Sequence, residues 1–341
     1  MGQDYRVAWQ HVKRPFVAGS YPTAQGRDWL LPMIGNFSSS RDLPAGHETL
    51  QRLPKLGRHR QISKIMKRIH LAGLSLLCGL FVPFAAAEAA TGISSDWVVG
   101  HSSRARLIAG NGMAGVEVQL PEGWKTYWRT PGNAGGVPPS FDWSQSENLA
   151  QATVLYPAPK RFSDRAGDTV GYKGTVVFPV RLTAKDPAKP ITLRLSLEYG
   201  ICKEICIPAE AALSLAVAPA QGSDIPDELA AALRLVPASE SERRPGDPVL
   251  KHVASELGGA KPNIVLEAQF PSGSEHADLF LEAPGGLFVP LPKKTADDGS
   301  GHLTFQVDLA QDVDLQALKG QKLTATLVSD SGQSETTFSV D

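Results

Sequence analysis

Apolar and polar residues alternate along several stretches of this chain. In residues 191–199 every odd position is apolar and every even position is polar. A period of two puts successive side chains on opposite faces, so this pattern predicts a half-buried antiparallel strand. Alternation resumes at Leu213, Leu215 and Val217, which predicts a second strand. The segment between the two strands is therefore expected to form an exposed loop.

The same type of pattern recurs on both sides of this region. Residues 104–109 and 115–120 have strand patterns and flank Asn111-Gly112, a dipeptide typical of tight hairpin turns. Further strands are predicted at residues 263–270, 277–282, 287–291, 302–309, 322–328 and 335–340. Short strands separated by turn residues indicate β-sandwiches.

The composition changes between the two groups of strands. A helix is predicted over residues 227–235, which have acidic residues in the first turn, and Gly, Ser and Pro surround it. We therefore predict an all-β protein with a first sandwich at residues 90–220, a linker with a short helix at 221–249, and a second sandwich at 250–341. Each domain is large enough to bury its own core.

A targeting signal is predicted inside the chain. Met66-Lys67-Arg68 precedes an apolar run over residues 69–87, and small residues at 87 and 89 flank Glu88. A basic start, an apolar middle and small residues before the cut are the order of a secretory signal peptide. We expect residues 66–89 to direct export, with cleavage before Ala90. An uncleaved membrane anchor is the alternative, because about 18 apolar residues nearly span a bilayer.

The charge of the chain is unevenly distributed. Residues 1–65 carry 10 Lys+Arg against 4 Asp+Glu, and we expect this basic extension to lie upstream of the true start at Met66. Residues 90–341 carry 22 Lys+Arg against 30 Asp+Glu, a net charge of -8. Nucleic-acid binding depends on Lys and Arg contacts to phosphate, so the acidic body excludes nucleic acid as a partner.

Cysteine usage indicates one site for chemistry. Of three cysteines, Cys78 leaves with the signal peptide, so the exported body retains only Cys202 and Cys206. Outside the cytosol such a pair is able to oxidise. A purely structural disulfide is one interpretation, but closing so short a loop stabilises the fold by only about 2 kcal/mol in the chain-entropy estimate. A dithiol that exchanges with other proteins is the interpretation that we favour.

Charges beside the cysteines do not identify the nucleophile. Lys203 favours a thiolate at Cys202, whereas Glu204 opposes it, so both are candidates for modulating the cysteine pKa. The sequence therefore leaves either cysteine as the attacking one.

Metal binding is the third interpretation of the cysteine pair. The spacing C-x3-C is not a usual zinc spacing, and the four histidines of the body are scattered. Copper(I) suits soft thiolates, so a copper-handling protein stays open as an alternative, although Met113 is the one methionine left in the body. We predict no metal and no cofactor.

A combination of motifs occurs before the cysteine segment, at residues 123–139, 141–143, 156–159, 170–172 and 178–180. Together with that segment they resemble the N-terminal periplasmic domain of the thiol:disulfide interchange protein DsbD and its ScsB-like relatives, over roughly residues 95–220. The resemblance implies an immunoglobulin-like sandwich, a second sandwich of the same type at 250–341, and a periplasmic location. It also implies that Cys202 and Cys206 are the redox pair of a protein-disulfide reductase.

The resemblance further implies partners and a shielding loop. In the family a membrane-embedded domain donates electrons, and here that donor must be a separate protein, because residues 90–341 have no apolar run of 18 residues and no C-x-x-C. Thioredoxin-like or disulfide-isomerase-like proteins of the periplasm are the implied acceptors. An aromatic side chain shields the cysteines in the family, and Tyr172 is the first candidate for this cap, with Phe162 second. Trp124, Tyr127 and Trp128 are expected to have packing roles.

Overall fold

The computed structural model describes residues 93–165, 167–219 and 224–341. The predicted basic extension, signal peptide and cleavage site lie outside these residues. Within them the chain forms two β-sandwiches joined by a segment with a short helix, as predicted, and both sandwiches belong to one compact unit. No helix in these ranges is long and apolar enough to cross a membrane.

The first sandwich contains eleven of the strands found in the described residues. One sheet has the order β1-β2-β3-β9-β6, and the other has the order β11-β10-β4-β8-β7, with β5 pairing to β10. The strands are β1 (Val98–Gly100), β2 (Ser103–Gly110), β3 (Met113–Gln119), β4 (Lys125–Tyr127), β5 (Ser140–Asp142), β6 (Leu149–Val154), β7 (Lys160–Asp164), β8 (Gly167–Lys173), β9 (Thr175–Ala184), β10 (Ile191–Cys202) and β11 (Cys206–Val217).

The alternating pattern of the sequence sets which face of each strand is buried. Leu193, Leu195 and Leu197 of β10 are buried in the core between the two sheets, and the polar residues between them are exposed or half-buried. The predicted turn joins β2 to β3, with Asn111 and Gly112 both at positive φ. This arrangement leaves the even positions of β10 on the outer face of its sheet.

The segment between the sandwiches is fixed to both of them. Helix α1 (Asp227–Arg234) follows the predicted position, and its Leu229 packs beside Ile108 and Val177 of the first sandwich. Beyond the helix, Ala238 forms a parallel bridge with Ser334 of the second sandwich. The linker therefore ties the two sandwiches together.

The second sandwich has a sheet of order β12-β13-β16-β15 and a sheet of order β14-β17-β18. Its elements are β12 (Val249–Glu256), β13 (Asn263–Gln269), β14 (Asp278–Glu282), a 3-10 turn (Pro284–Gly286), β15 (Lys293–Asp297), β16 (His302–Asp308), α2 (Leu315–Leu318), β17 (Lys322–Ser329) and β18 (Gly332–Ser339). Strand β12 has a weak apolar pattern and was not predicted.

The strand predicted at residues 287–291 is wrong. This segment is extended but joins no sheet, and the chain forms β15 immediately after it. Pro290 and Pro292 have no N–H to donate to a neighbouring strand. Val289 and Leu291 are buried. The apolar alternation therefore reflects packing of a loop rather than a strand.

The core of the first sandwich continues into the second. Phe280, Leu291 and Val328 belong to the second sandwich but pack in the hydrophobic cluster of the first. The ring of Phe280 lies 5.8 Å from the ring of Trp128, and both side chains are almost completely buried. The two sandwiches therefore share apolar core contacts.

Candidate functional site

Cys202 and Cys206 form a disulfide at the end of a long hairpin. Cys202 is the last residue of β10, Cys206 is the first of β11, and the two are direct cross-strand partners with Cα atoms 4.1 Å apart. The three residues between them close the loop, with the Lys203 amide donating to the Ile205 carbonyl at 3.2 Å. Cys202 is 7% exposed, whereas Cys206 is exposed. The two cysteine residues therefore differ in their exposure to solvent.

A buried tyrosine contacts the exposed cysteine. The Tyr127 hydroxyl lies 3.1 Å from Cys206 Sγ. A disulfide sulfur carries no hydrogen, so the hydroxyl is the donor. Tyr127 is only 2% exposed, although its hydroxyl reaches the site. The structure thus places a hydrogen-bond donor on the sulfur of the more exposed cysteine.

Two glycines make room for the Tyr127 ring. A Cβ on Gly136 would lie 2.2 Å from the ring, and one on Gly200 would lie 2.9 Å from it. Both distances are shorter than carbon atoms tolerate, and Gly136 also has a φ of 152°. The ring is therefore held between the glycine-rich segment that follows β4 and the end of β10. The sequence predicted only a packing role for Tyr127. The glycine at position 136, which lets the ring approach the backbone closely, was the signal in the sequence for a further role.

Strand alternation places the site on the outer face of its sheet. In β4, Trp128 follows the strand and enters the core, whereas Lys125 and Tyr127 share the opposite face. Lys125 pairs in register with Cys202. Its ammonium donates to Asp164 at 2.8 Å and to Thr169 at 2.6 Å. A buried and fully paired lysine thus lies next to the disulfide.

The environment of Tyr127 keeps its hydroxyl protonated. Burial raises the pKa of Tyr127 above its usual value, and the negative charge of Asp164 raises this pKa further. The neutral form is the one that donates a hydrogen bond. Tyr127 therefore remains a donor to Cys206 throughout the neutral pH range.

Two exposed apolar residues lie at the cysteine hairpin. Ile205, between the cysteines, is 69% exposed, and Val137 is 55% exposed. The Val137 carbonyl accepts a hydrogen bond from the Gly200 amide at 3.0 Å, so Val137 lies against the cysteine hairpin. An apolar rim of this kind is able to bind another protein.

The structure corrects the prediction that Tyr172 caps the cysteines. Val170 and Tyr172 of β8 both point into the core, on the opposite face of the sheet from Lys125 and Tyr127. The Tyr172 hydroxyl donates to the Pro157 carbonyl at 2.8 Å, and its ring packs edge-on against Phe178. Burial raises the pKa of Tyr172 well above its usual value. Tyr172 is therefore a core residue.

The second cap candidate lies on the same face as the cysteines. Phe162 of β7 pairs in register with Thr169, the residue that Lys125 contacts. The Lys173 ammonium lies 4.4 Å from the centre of the Phe162 ring. Because β7 is the edge strand of the sheet, Phe162 is separated from β10 by two strands. A shielding role for Phe162 stays a prediction.

The two charged residues of the cysteine loop are exposed. The Lys203 side chain lies along Gly123, where a Cβ would come within 3.0 Å of its Cε, and Glu204 is next to it at the loop tip. Their effect on the cysteine pKa also stays a prediction.

In the described part of the chain, no three His, Cys, Asp or Glu side chains are grouped as metal ligands.

Replacing Tyr127 with Phe is expected to raise the pKa of the Cys206 thiol. The ring stays in place, but the hydrogen bond to the sulfur is lost, and such a bond to a charged group contributes about 1.5–3 kcal/mol. This corresponds to a rise of about 1–2 pKa units. The pH dependence of Cys206 alkylation in the reduced protein measures the change. An unchanged pKa would show that the hydroxyl does not stabilise the thiolate.

Comparisons with known proteins agree with this site. Residues 102–218 match the family model described as thiol:disulfide interchange protein DsbD, N-terminal. The N-terminal periplasmic domain of ScsB from Proteus mirabilis is similar in structure, with a TM-score of 0.55 and 24% identity over 73% of this chain and 98% of that chain. The reduced N-terminal domain of Neisseria meningitidis DsbD gives a TM-score of 0.23 and 17% identity, over 33% and 84% of the two chains.

No curated protein sequence matches the chain significantly. The family match spans β2 to β11 completely and includes Tyr127 and both cysteines. The match to the ScsB structure covers 73% of this chain and shows a shared fold. Residues 102–218 therefore match the DsbD N-terminal family in sequence.

Proposed function

We propose that this protein is a thiol-disulfide exchange module of the periplasm, acting as a protein-disulfide reductase through Cys202 and Cys206. The observation that carries the proposal is a disulfide at a hairpin tip in which Cys206 is an exposed residue and its sulfur accepts a hydrogen bond from buried Tyr127. The match of residues 102–218 to the DsbD N-terminal family supports the same chemistry.

The exchange begins with a thiolate of an electron donor. It attacks Sγ of Cys206, so a new S–S bond joins the donor to Cys206 while the bond between Cys206 and Cys202 breaks, and Cys202 leaves as a thiolate. A second donor thiol then attacks the donor sulfur of this mixed disulfide and releases Cys206. The donor ends as a disulfide, and the pair gains two electrons and two protons.

The reduced pair passes its electrons on by the reverse chemistry. The Cys206 thiolate attacks an acceptor disulfide, and Cys202 then attacks Cys206 to release the reduced acceptor. We assign the attacking role to Cys206 because it is exposed, whereas Cys202 is 7% exposed. The Tyr127 hydroxyl stabilises the Cys206 thiolate through its hydrogen bond.

The proposed partners follow from this chemistry. A membrane-embedded thiol protein is the donor, and thioredoxin-like or disulfide-isomerase-like periplasmic proteins are the acceptors. The apolar rim of Val137 and Ile205 gives each partner a surface to bind before exchange. No cofactor takes part in the steps, because thiols carry both electrons.

Equilibration of the purified protein against glutathione buffers tests the proposal. We expect a reduction potential of the Cys202/Cys206 pair in the range of exchange proteins, roughly -120 to -270 mV. A potential well below about -300 mV is typical of a structural disulfide that resists reduction. That result would overturn the proposal in favour of an adaptor that keeps the fold without the redox chemistry.

A further inference from the structure

One loop connects the redox site with the second sandwich. Residues 129–139, which we name the bridging loop, leave β4 two residues after Tyr127 and end at β5, which pairs with β10. Both ends of the loop therefore lie in the sheet that carries the cysteines. Its middle lies against the second sandwich.

The first residue of the bridging loop is bound by two carboxylates of the second sandwich. Arg129 donates from Nε and Nη2 to Glu282 at 2.6–2.9 Å, and from Nη2 to Glu335 at 2.5 Å. Burial would lower the pKa of Arg129, but the hydrogen bonds and charges of the two glutamates outweigh this and hold it above its usual value. Paired hydrogen bonds of this geometry fix the guanidinium in orientation as well as position.

The tip of the bridging loop has a second attachment. The Asn133 side-chain oxygen accepts a hydrogen bond from the Leu291 amide at 2.9 Å. Leu291 belongs to the segment that packs into the core of the first sandwich. A Cβ on Gly132 would also meet the Leu291 side chain at 3.2 Å, so the two segments are in close contact.

The returning half of the bridging loop contacts the redox site. Gly136 lies against the Tyr127 ring, and the Val137 carbonyl accepts a hydrogen bond from the Gly200 amide. Tyr127 in turn donates to Cys206. The second sandwich thus holds one side of the loop, while the other side confines the tyrosine that contacts the exposed sulfur.

We propose that the second sandwich sets the reactivity of Cys206 by holding the bridging loop, so that Glu282, Arg129 and Asn133 are positioning residues for the redox pair. This inference rests on the proposed function. It gives the second sandwich a part in the chemistry, although that sandwich contains no cysteine.

Two mild substitutions at the attachments test the inference. Glu282→Gln removes the charge of one carboxylate partner of Arg129 but leaves Glu335, and Asn133→Ala removes one hydrogen bond. Each is expected to change the equilibrium constant with glutathione at pH 8 by threefold to tenfold, in the direction that favours the oxidised pair. The reason is that a less firmly held Tyr127 stabilises the Cys206 thiolate of the reduced pair less. A tenfold change corresponds to about 30 mV for this two-electron couple.

Asp278→Asn is the matched control. Asp278 also binds an arginine of the first sandwich through two hydrogen bonds, Arg161 Nε at 2.9 Å and Nη2 at 2.7 Å. Arg161 lies on β7 and not on the bridging loop. This variant is expected to leave the equilibrium constant unchanged. A shift as large as that of Glu282→Gln would overturn the assignment to the loop.

A second background tests the route through Tyr127. In the Tyr127→Phe protein, Glu282→Gln and Asn133→Ala are expected to cause no further shift, because the hydrogen bond that they weaken is already absent. Additive shifts would overturn the inference. If the pair is reducible but neither substitution changes its equilibrium constant with glutathione in the wild-type background, the inference is overturned and the proposed function stays intact. A pair that glutathione cannot reduce would overturn the proposed function itself.

Discussion

Replacing Cys206 with Ser is expected to reduce the rate of exchange with protein disulfides to the uncatalysed rate. Cys202→Ser is expected to lose turnover as well, but it retains the attacking thiol and therefore accumulates a mixed disulfide with its partner. The difference follows from exposure, since Cys206 is exposed and Cys202 is 7% exposed. Non-reducing gels of each reduced variant after mixing with an oxidised thioredoxin-like protein measure the trapped species.

The two serine variants are controls for each other. Both remove the same disulfide and open the same loop, which changes the stability by about 2 kcal/mol in the chain-entropy estimate. Loss of the cross-link therefore affects both to the same degree and cannot by itself explain a difference in trapping. Equal trapping by both variants, or trapping by Cys206→Ser alone, would contradict the assignment of Cys206 as the attacking residue. Addition of dithiothreitol should release the partner, because a mixed disulfide is reducible.

Local sequence pattern was sufficient to predict the two strands that carry the cysteines. Alternation in residues 191–199 predicted β10, and the renewed alternation after the cysteines predicted β11. The cysteines were therefore expected at a strand junction, and the structure confirms this. The pattern is reliable here because one face of each strand is buried, which fixes the register.

The features that sequence did not predict all depend on contacts between distant segments. Tyr127 and Cys206 are far apart in sequence and meet because β4 pairs with β10. Tyr172 was predicted to shield the cysteines from its place in the family pattern. Alternate residues of β8 face opposite sides of the sheet, and Tyr172 is on the side that faces the core. Residues 287–291 alternate because Val289 packs in the core of its own sandwich and Leu291 packs in the core of the other. None of these pairings is encoded in a local period of two.

The contacts of the bridging loop and of Trp128, which precedes it, account for the residue types found in this segment. Trp128 packs inward on Phe280, Arg129 binds the two glutamates, and Gly136 leaves space for Tyr127. Each residue type is thus accounted for by a different contact. Within a few residues, the segment contacts both the core shared by the two sandwiches and the tyrosine that binds Cys206.

Phe280→Ala is expected to lower the free energy of unfolding by about 3–5 kcal/mol, the usual cost of removing a fully buried phenylalanine. Phe280 is completely buried on β14, and its ring contacts Trp128 and the Arg161 guanidinium of the first sandwich. The cavity therefore opens in the core that both sandwiches share. For a protein of this size the loss lowers the melting temperature by roughly 6–20 °C.

Tryptophan fluorescence makes this test specific to the shared core. Of the six tryptophans, Trp9 and Trp29 lie in the basic extension, and Trp97, Trp124, Trp128 and Trp143 lie in the first sandwich; residues 144–341 contain none. In a protein of residues 90–341 the fluorescence therefore follows the first sandwich, whereas Phe280 belongs to the second. If the sandwiches unfold together, Phe280→Ala lowers the fluorescence midpoint and the circular dichroism midpoint equally. A fluorescence midpoint that stays at the wild-type value would contradict a shared core.

Phe305→Ala is the matched control for this experiment. Phe305 is equally buried, but it packs against Phe270 inside the second sandwich and makes no part of the shared cluster. Its removal is expected to cost a similar free energy while leaving the contact between Trp128 and Phe280 in place. Phe280→Ala should therefore change the fluorescence of the folded protein through Trp128, and Phe305→Ala should not. Identical native spectra for both variants would place Phe280 outside the environment of Trp128 and remove the physical basis for coupling between the sandwiches.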